Sequence, residues 1–275
     1  DGDRDLVAAS PSTDSVRVLM NAGNGTFAPY VSYGTGDFPR HLAIGDLNGD
    51  GHGGLAVANQ SANTVSVLLN LGAGAFAPHV PYGVGNHPVS VAIADFDADG
   101  DRDLAVVNQF GRTISVRMNL GDGTFLTPAT YATGIAPGIL ATADLDGDGD
   151  TDMAVPNAQN TDSTVSVFKN LGNGTFAPQV KYPVGYIPEC VAIGDLDGDQ
   201  KPDIAVANSG SRDLSVLINR GNGTFEPQQT FEGGGQAGFV AMADLDGNGR
   251  RDVAVAMGGH VTIFMNRCRL PRSPY

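Results

Sequence analysis

The sequence predicts an all-β fold, a β-propeller of four-stranded antiparallel blades, and three observations predict it. A long unit recurs along the chain at a nearly constant interval, each unit divides into four short β-patterned segments separated by turn residues, and no stretch sustains a helical period.

The recurring mark is the pattern D-x-[DN]-x-[DN]-G-x-x-D. It starts at Asp46, Asp95, Asp144, Asp195 and Asp244, at intervals of 49, 49, 51 and 49 residues, and its second half opens the chain at Asp1-Gly2-Asp3-Arg4-Asp5. Six copies result, the first truncated. Solenoid coils repeat at shorter periods, whereas four strands in about 40 to 50 residues is the propeller signature.

The unit that begins near Pro88 shows the elements in order. The first segment is 89–94, and the acidic loop 95–103 follows it. The second segment, 104–107, is apolar and ends at Asn108. The third, 113–118, sets Ile114, Val116 and Met118 against Thr113, Ser115 and Arg117, the period of two that predicts a strand with one face more buried.

Asn119 closes the third segment, and Asn21, Asn70, Asn170, Asn219 and Asn266 hold the same place in the other units, where a short polar side chain starts a turn. The turn Gly121-Asp122-Gly123 comes next. A fourth strand is expected from Thr124-Phe125 to Tyr131, with Phe27, Phe76, Phe125, Phe176 and Phe225 as one core anchor per unit. The chain enters in the second strand of its first unit and leaves after the third of its last, so both terminal sheets should have three strands. The sequence thus predicts one domain over 1–275 with six blades, or seven if sequence is missing, and its start inside a motif predicts a piece of a longer precursor.

Acids outnumber bases 30 to 16, a formal net charge of -14, which argues against nucleic acid or an anionic membrane as partner. No run of about 18 apolar residues could span a bilayer. Cys190 and Cys268 are too few for a disulfide framework. They fall at opposite ends of parallel strands, which predicts two unpaired thiols.

The motifs hold 22 of the 30 acids, so most of the negative charge sits in these loops. Carboxylates at alternate positions of a tight turn converge on one centre, and calcium takes six to eight oxygens at flexible geometry. Asp95, Asp97, Asp99 and Asp103 fill positions 1, 3, 5 and 9, with the main-chain carbonyl of Asp101 as a fifth ligand and Gly100 at the turn. Asp144, Asp146, Asp148 and Asp152 repeat the arrangement, with Asp150 at the carbonyl position.

Asp195, Asp197, Asp199 and Asp203, with Lys201 giving its carbonyl, form a third loop, in which Gln200 replaces the glycine. Asp244, Asp246, Asn248 and Asp252, with Arg250 at the carbonyl position, keep four donors and lose one charge. The loop with Asp46, Asn48 and Asp50 has Gly54 at position 9 and should bind more weakly. The opening fragment retains Asp1 and Asp5 and should be empty. About four to five calcium ions are expected. An EF-hand would need flanking helices and a Glu at position 12, and neither is present.

These units resemble FG-GAP or VCBS-type repeats, similar to those of integrin α-subunit propellers and of propeller lectins. The resemblance covers nearly the whole chain. It rests on the acidic loops, the Asn-terminated third strand, the turn Gly172-Asn173-Gly174-Thr175-Phe176-Ala177-Pro178 and a Tyr-x-x-Gly-x-x-Pro linker at 82–88. It implies an extracellular or cell-surface, calcium-stabilised propeller that binds a glycan or a protein, or serves as an accessory module of a larger secreted enzyme. Integrin propellers usually have seven blades.

The linkers at 33–39, 82–88, 131–137, 182–188 and 231–238 are candidate ligand loops. Their tyrosines either pack between blades or form shallow sugar platforms, and the absence of tryptophan weakens the second reading. A non-enzyme is expected, since His41, His52, His79, His87 and His260 share no ligand spacing and no G-x-S-x-G or Walker-type motif is present. Asn24, Asn59, Asn173 and Asn222 begin Asn-x-Ser/Thr sequons, three of them inside the Asn-Gly-Thr turn.

Overall fold

In the computed structural model, described for residues 2–159 and 161–267, β-branched and apolar segments pair into six antiparallel sheets. Two compact units, Asp1–Ala132 and Thr133–Tyr275, hold three sheets each. Among the described residues no helix is long and apolar enough to cross a membrane.

In the first unit, sheet one comprises β1 (Leu6–Ser10), β2 (Ser15–Leu19) and β3 (Val31–Gly34). Sheet two comprises β4 (Pro39–Asp46), β5 (Gly53–Asn59), β6 (Thr64–Leu68) and β7 (Val80–Gly83), and sheet three β8 (Pro88–Ala94), β9 (Asp103–Asn108), β10 (Thr113–Arg117) and β11 (Ala129–Ala132). In the second unit, sheet four comprises β12 (Ala141–Ala143), β13 (Asp152–Gln159), β14 (Asp162–Phe168) and β15 (Val180–Pro183). Sheet five comprises β16 (Pro188–Gly194), β17 (Asp203–Asn208), β18 (Asp213–Leu217) and β19 (Gln229–Glu232), and sheet six β20 (Ala237–Ala243), β21 (Asp252–Met257) and β22 (His260–Phe264). Three strands in each terminal sheet match the sequence reading.

Within each unit sheets stack face to face, and the second strand of each four-stranded sheet is buried on both sides. Leu104, Ala105, Val106 and Val107 of β9 have no exposed surface. This is why second segments read as unbroken apolar runs. Third strands depart from the expected one-sided burial. Ser115 and Arg117 of β10 are as enclosed as Ile114 and Val116, because the preceding sheet covers their face, with the Arg117 guanidinium over the Tyr82 ring. Both polar groups are bonded: Ser115 accepts from Asn108 Nδ2 at 2.9 Å, and the Arg117 guanidinium donates to the carbonyls of Gly83 and Leu126.

Fourth strands also start later than expected. Phe125 makes a lone bridge to Asn119 across the turn, and Leu126 N–H donates to Met118 O at 2.9 Å. Pro128 then interrupts the ladder, since proline has no N–H to donate, and β11 begins at Ala129. Tyr82, in the fourth strand of sheet two, meets Phe125 of sheet three edge-on, ring centroids 5.3 Å apart, and its hydroxyl donates to Gly123 O at 3.2 Å. Tyr33 with Phe76 and Gly74, and Tyr182 with Phe225 and Gly223, repeat this latch between neighbouring sheets. Phe125 and Phe225 are therefore buried anchors, as expected. Phe27 is 39% exposed, because no sheet precedes its own within the unit.

The first strand of sheet four is short for a specific reason. Gly138 brings its backbone so close to the next sheet that a Cβ there would stand 2.3 Å from Glu189 O. Ile139 N–H donates to that carbonyl at 2.8 Å, forming a parallel bridge to Cys190 in place of antiparallel pairing at home.

Candidate functional site

The acidic loops join the first to the second strand of each sheet, so five of them carry the same local fold. Position 1 wraps each loop. Asp95 accepts the amides of Ala98 at 2.8 Å and Gly100 at 3.1 Å, Asp144 those of Gly147 and Gly149, Asp195 those of Gly198 and Gln200, Asp244 those of Gly247 and Gly249, and Asp46 those of Gly49 and Gly51. Position 5 accepts the amide of position 7, as Asp99 does from Asp101 at 2.8 Å and Asp148 from Asp150 at 2.9 Å.

This wrapping forces positive φ at positions 4 and 6. Gln200 adopts φ 69°, the strain its sequence position suggested, and Ala98 adopts φ 62° at a position that sequence reading overlooked. The carboxylates of Asp101 and Asp150 lie over Gly121 and Gly172, away from the other loop acids. That orientation agrees with a main-chain role for position 7, where Lys201 and Arg250 also stand.

Position 9 has a second use that the motif alone did not reveal. Asp103 is buried, and its two oxygens accept the amides of Phe96 and Asn119, each at 2.8 Å. Asp152 does so with Leu145 and Asn170, Asp203 with Leu196 and Asn219, and Asp252 with Leu245 and Asn266. The invariant Asn is thus the far end of a clamp that ties the loop to the third strand. Burial pushes the carboxyls of Asp103, Asp152 and Asp203 up to about 6, against the pull of those amides and with added push from neighbouring loop acids. At Asp252 the hydrogen bonds from Asn266 and Leu245 win instead and hold the carboxyl below its ordinary range.

Four groups of three acids bring one oxygen each within 4.8 Å of one another: Asp95, Asp97 and Asp99; Asp144, Asp146 and Asp152; Asp195, Asp197 and Asp199; Asp244, Asp246 and Asp252. Among the described residues the Asp46 loop forms no such group. Gly54 leaves it without the clamp, and Asn48 Nδ2 donates to Asp50 at 2.9 Å. Asp5 survives in the first sheet as a clamp only, accepting the amide of Asn21 at 2.8 Å, and Asp1 lies outside the described residues.

The groups fit a hard divalent cation. Every side-chain donor is oxygen, and Asp146 Oδ1 is buried with no hydrogen-bond partner. Burial and the adjacent Asp99 raise the Asp97 carboxyl above the ordinary carboxylate range, and burial and Asp199 do the same to Asp197, the sign of like charges crowded together. Lys169 approaches Asp146 at 3.2 Å and Lys201 approaches Asp199 at 2.8 Å, partly offsetting that repulsion.

Other candidates resolve differently. The latch accounts for Tyr33, Tyr82 and Tyr182 as packing between sheets. His79 Nδ1 lies 2.8 Å from Ser66 Oγ, a nucleophile and base in contact, but Ser66 is fully buried, and Gln179 and Gln228 hold the same place beside Ser166 and Ser215. Burial lowers the His41 imidazole below its ordinary value, and its Nδ1 accepts the Val91 amide at 3.3 Å. Asn24, Asn173 and Asn222 spend their side chains on the turn, accepting from Thr26, Thr175 and Thr224, and Asn59 is fully buried. Cys190 is buried and free, while Cys268 lies outside the described residues.

On the linker at 82–88 the ring of His87 stacks on Phe110, centroids 3.8 Å apart and planes at 7°, and Phe110 is 64% exposed. Sequence reading missed this pair because its members come from different segments.

No curated protein sequence matches the chain. Solved structures do, and each likeness shows the fold alone. A lectin from Agrocybe aegerita, described as recognising non-reducing terminal N-acetylglucosamine, aligns over 96% of this chain and 80% of its own at 19% identity and TM-score 0.60. The N-terminal part of BBS1, solved in complex with ARL6, aligns over 96% and 75% at 15% identity and TM-score 0.68. The periplasmic gluconolactonase PpgL of Pseudomonas aeruginosa aligns over 96% and 70% at 19% identity and TM-score 0.66. A family model for the FG-GAP-like repeat matches residues 1–53, 55–106, 95–155, 157–206 and 195–255, in register with the acidic loops. The chain therefore belongs to the FG-GAP-like repeat family, and its fold is a β-propeller.

Proposed function

We propose that the chain is an extracellular or cell-surface recognition module, calcium-stabilised and non-catalytic, whose ligand is a glycan. The observation that carries the calcium reading is the recurrence, in four successive sheets, of three converging carboxylates at the same turn. The residues that would hold calcium are Asp95, Asp97, Asp99, Asp144, Asp146, Asp152, Asp195, Asp197, Asp199, Asp244, Asp246 and Asp252, with main-chain carbonyls at position 7. When bound, calcium would supply the counter-charge that these acids lack among themselves.

The His87–Phe110 stack supports the glycan reading, because the exposed flat face of Phe110, in the hairpin between β9 and β10, suits the apolar face of a sugar ring. Protein adhesion is the alternative, and the two are separated by screening calcium-loaded protein on a glycan array. Binding that Phe110→Ala abolishes supports the proposal, while a blank array in calcium counts against a glycan ligand. Hydrolysis of gluconolactone by the purified chain would overturn the non-catalytic reading. Calorimetric calcium titration should give about four ions per chain, and no heat of binding would remove the metal from the account.

A further inference from the structure

The residue before the Asn of the clamp is apolar in five units, at Met20, Leu69, Met118, Ile218 and Met265, and in sheet four it is Lys169. All six are half-buried. At three of these places the side chain reaches across to the turn glycine of the following sheet. A Cβ on Gly74 would meet Met20, one on Gly123 would meet Leu69, and one on Gly223 would meet the Cε of Lys169. That packing is served as well by methionine or leucine as by the lysine methylenes, so it does not account for a charge here.

The ammonium of Lys169 has its own partners. It donates to Asn222 O on the sheet-five turn and stands 3.2 Å from Asp146 Oδ2. The turn is fixed against the sheet-four loop by Gly223 N–H, which donates at 3.0 Å to the carbonyl of Leu145, the neighbour of Asp146 in the chain. The other oxygen of Asp146, Oδ1, is buried without a hydrogen-bond partner, and Asp144, Asp146 and Asp152 converge within 4.8 Å. A positive charge from outside the loop therefore already faces these acids.

The matching group in sheet three, Asp95, Asp97 and Asp99, has no such neighbour. Among the described residues no lysine, arginine or histidine pairs with it, and Met118 occupies the place of Lys169. Lys201 differs in kind, because it belongs to the loop it bonds and its side chain is 44% exposed.

We propose that Lys169 is a resident counter-cation of the Asp144 loop and sets its calcium affinity below that of the Asp95 loop. The inference rests on the calcium reading of the loops and goes beyond it by grading two loops that the motif makes equal. An incoming divalent ion must either stand beside the ammonium or drive it off Asp146 Oδ2, and both weaken the site.

The test follows the amides of Gly100 and Gly149, bonded to Asp95 and Asp144 at the same place in the two loops, by two-dimensional NMR as calcium is added to the metal-free full chain. In the native chain the Gly100 signal should reach its midpoint at lower calcium than that of Gly149. K169M should lower the Gly149 midpoint about fivefold, as expected for loss of one partly exposed ion pair, and leave Gly100 unmoved. K169R, which keeps the charge, should hold Gly149 at its native midpoint, and M118K should raise the midpoint of Gly100. Equal Gly149 midpoints in native and K169M protein, or a native Gly100 midpoint in M118K, overturn the proposal and leave calcium binding itself standing. A K169R chain that behaves as K169M also overturns it, since packing rather than charge would then be the cause. If neither amide responds to calcium in any of these proteins, the calcium reading and this proposal fall together.

Discussion

Asp103 shows how much one side chain of the motif does. It receives two buried amides, one from Phe96, 7 residues before it, and one from Asn119, 16 residues after it, and truncation to alanine leaves both without an acceptor. Asp103→Ala should therefore cost roughly 2–5 kcal/mol in metal-free protein, read by chemical denaturation in chelator. The same residue sets a pH dependence. Its folded value of about 6, shared by Asp152 and Asp203, lies above the unfolded value of about 3.9. Between those values the folded state binds more protons than the unfolded one, so the metal-free protein gains stability as pH falls from about 6 towards 4. The melting temperature in chelator should rise over that interval, while the increment added by calcium shrinks as protons compete for the same oxygens. A metal-free melting temperature that falls throughout the interval contradicts this. The acids at positions 1, 3 and 5 were legible in the motif, because their spacing alone places them on one turn. The clamp was not, because the partner amide of Asn119 arrives through strand pairing that no local spacing encodes.

Among the elements, second strands were plain in the sequence, since burial on both faces leaves an apolar run. Third strands misled, because Ser115 and Arg117 look solvated until the neighbouring sheet is known to cover them. Fourth strands were displaced in the reading because Phe125 resembles a strand residue, whereas Asn119 and Pro128 make it the end of a hairpin. Its role as an anchor was nonetheless read correctly. The latch from Tyr82 gives a test of how sheets couple. Tyr82→Phe removes the bond to Gly123 O and should cost about 1 kcal/mol, while Tyr82→Ala also empties the contact with Phe125 and should cost roughly 3 kcal/mol. Equal losses would mean that ring packing contributes nothing.

For the whole molecule, the repeat period and the net charge of -14 were the most informative facts, and they point the same way. On the proposed calcium reading, acids gathered into turns repel one another until counter-charge arrives. Each site at one hundred times its dissociation constant adds about 2.7 kcal/mol, so chelation should lower the melting temperature steeply. Sodium chloride should restore part of that loss in chelator by screening, and should do little in saturating calcium. No change on chelation would separate the fold from the metal altogether. Blade closure and ligand identity were not legible, because both depend on surfaces assembled from segments apart in the sequence, as the His87–Phe110 stack illustrates within a single sheet.

The clamp also shows where the polypeptide can grow. Asp152 and Asn170 are 18 residues apart and still bond at 2.7 Å, although the equivalent pairs Asp103 with Asn119 and Asp203 with Asn219 are separated by 16. The two additional residues lengthen the hairpin between β13 and β14, whose ladder runs on through Ala158 with Ser163 and Gln159 with Asp162 where the equivalent ladder of β9 and β10 ends at Asn108 with Thr113. Gene-level insertions are thus already tolerated at that tip, which makes it the natural splice point for an epitope tag or a tethered dye. A short peptide inserted between Gln159 and Asp162 should leave calcium stoichiometry and melting temperature unchanged, whereas the same insert within 95–103 should abolish one site.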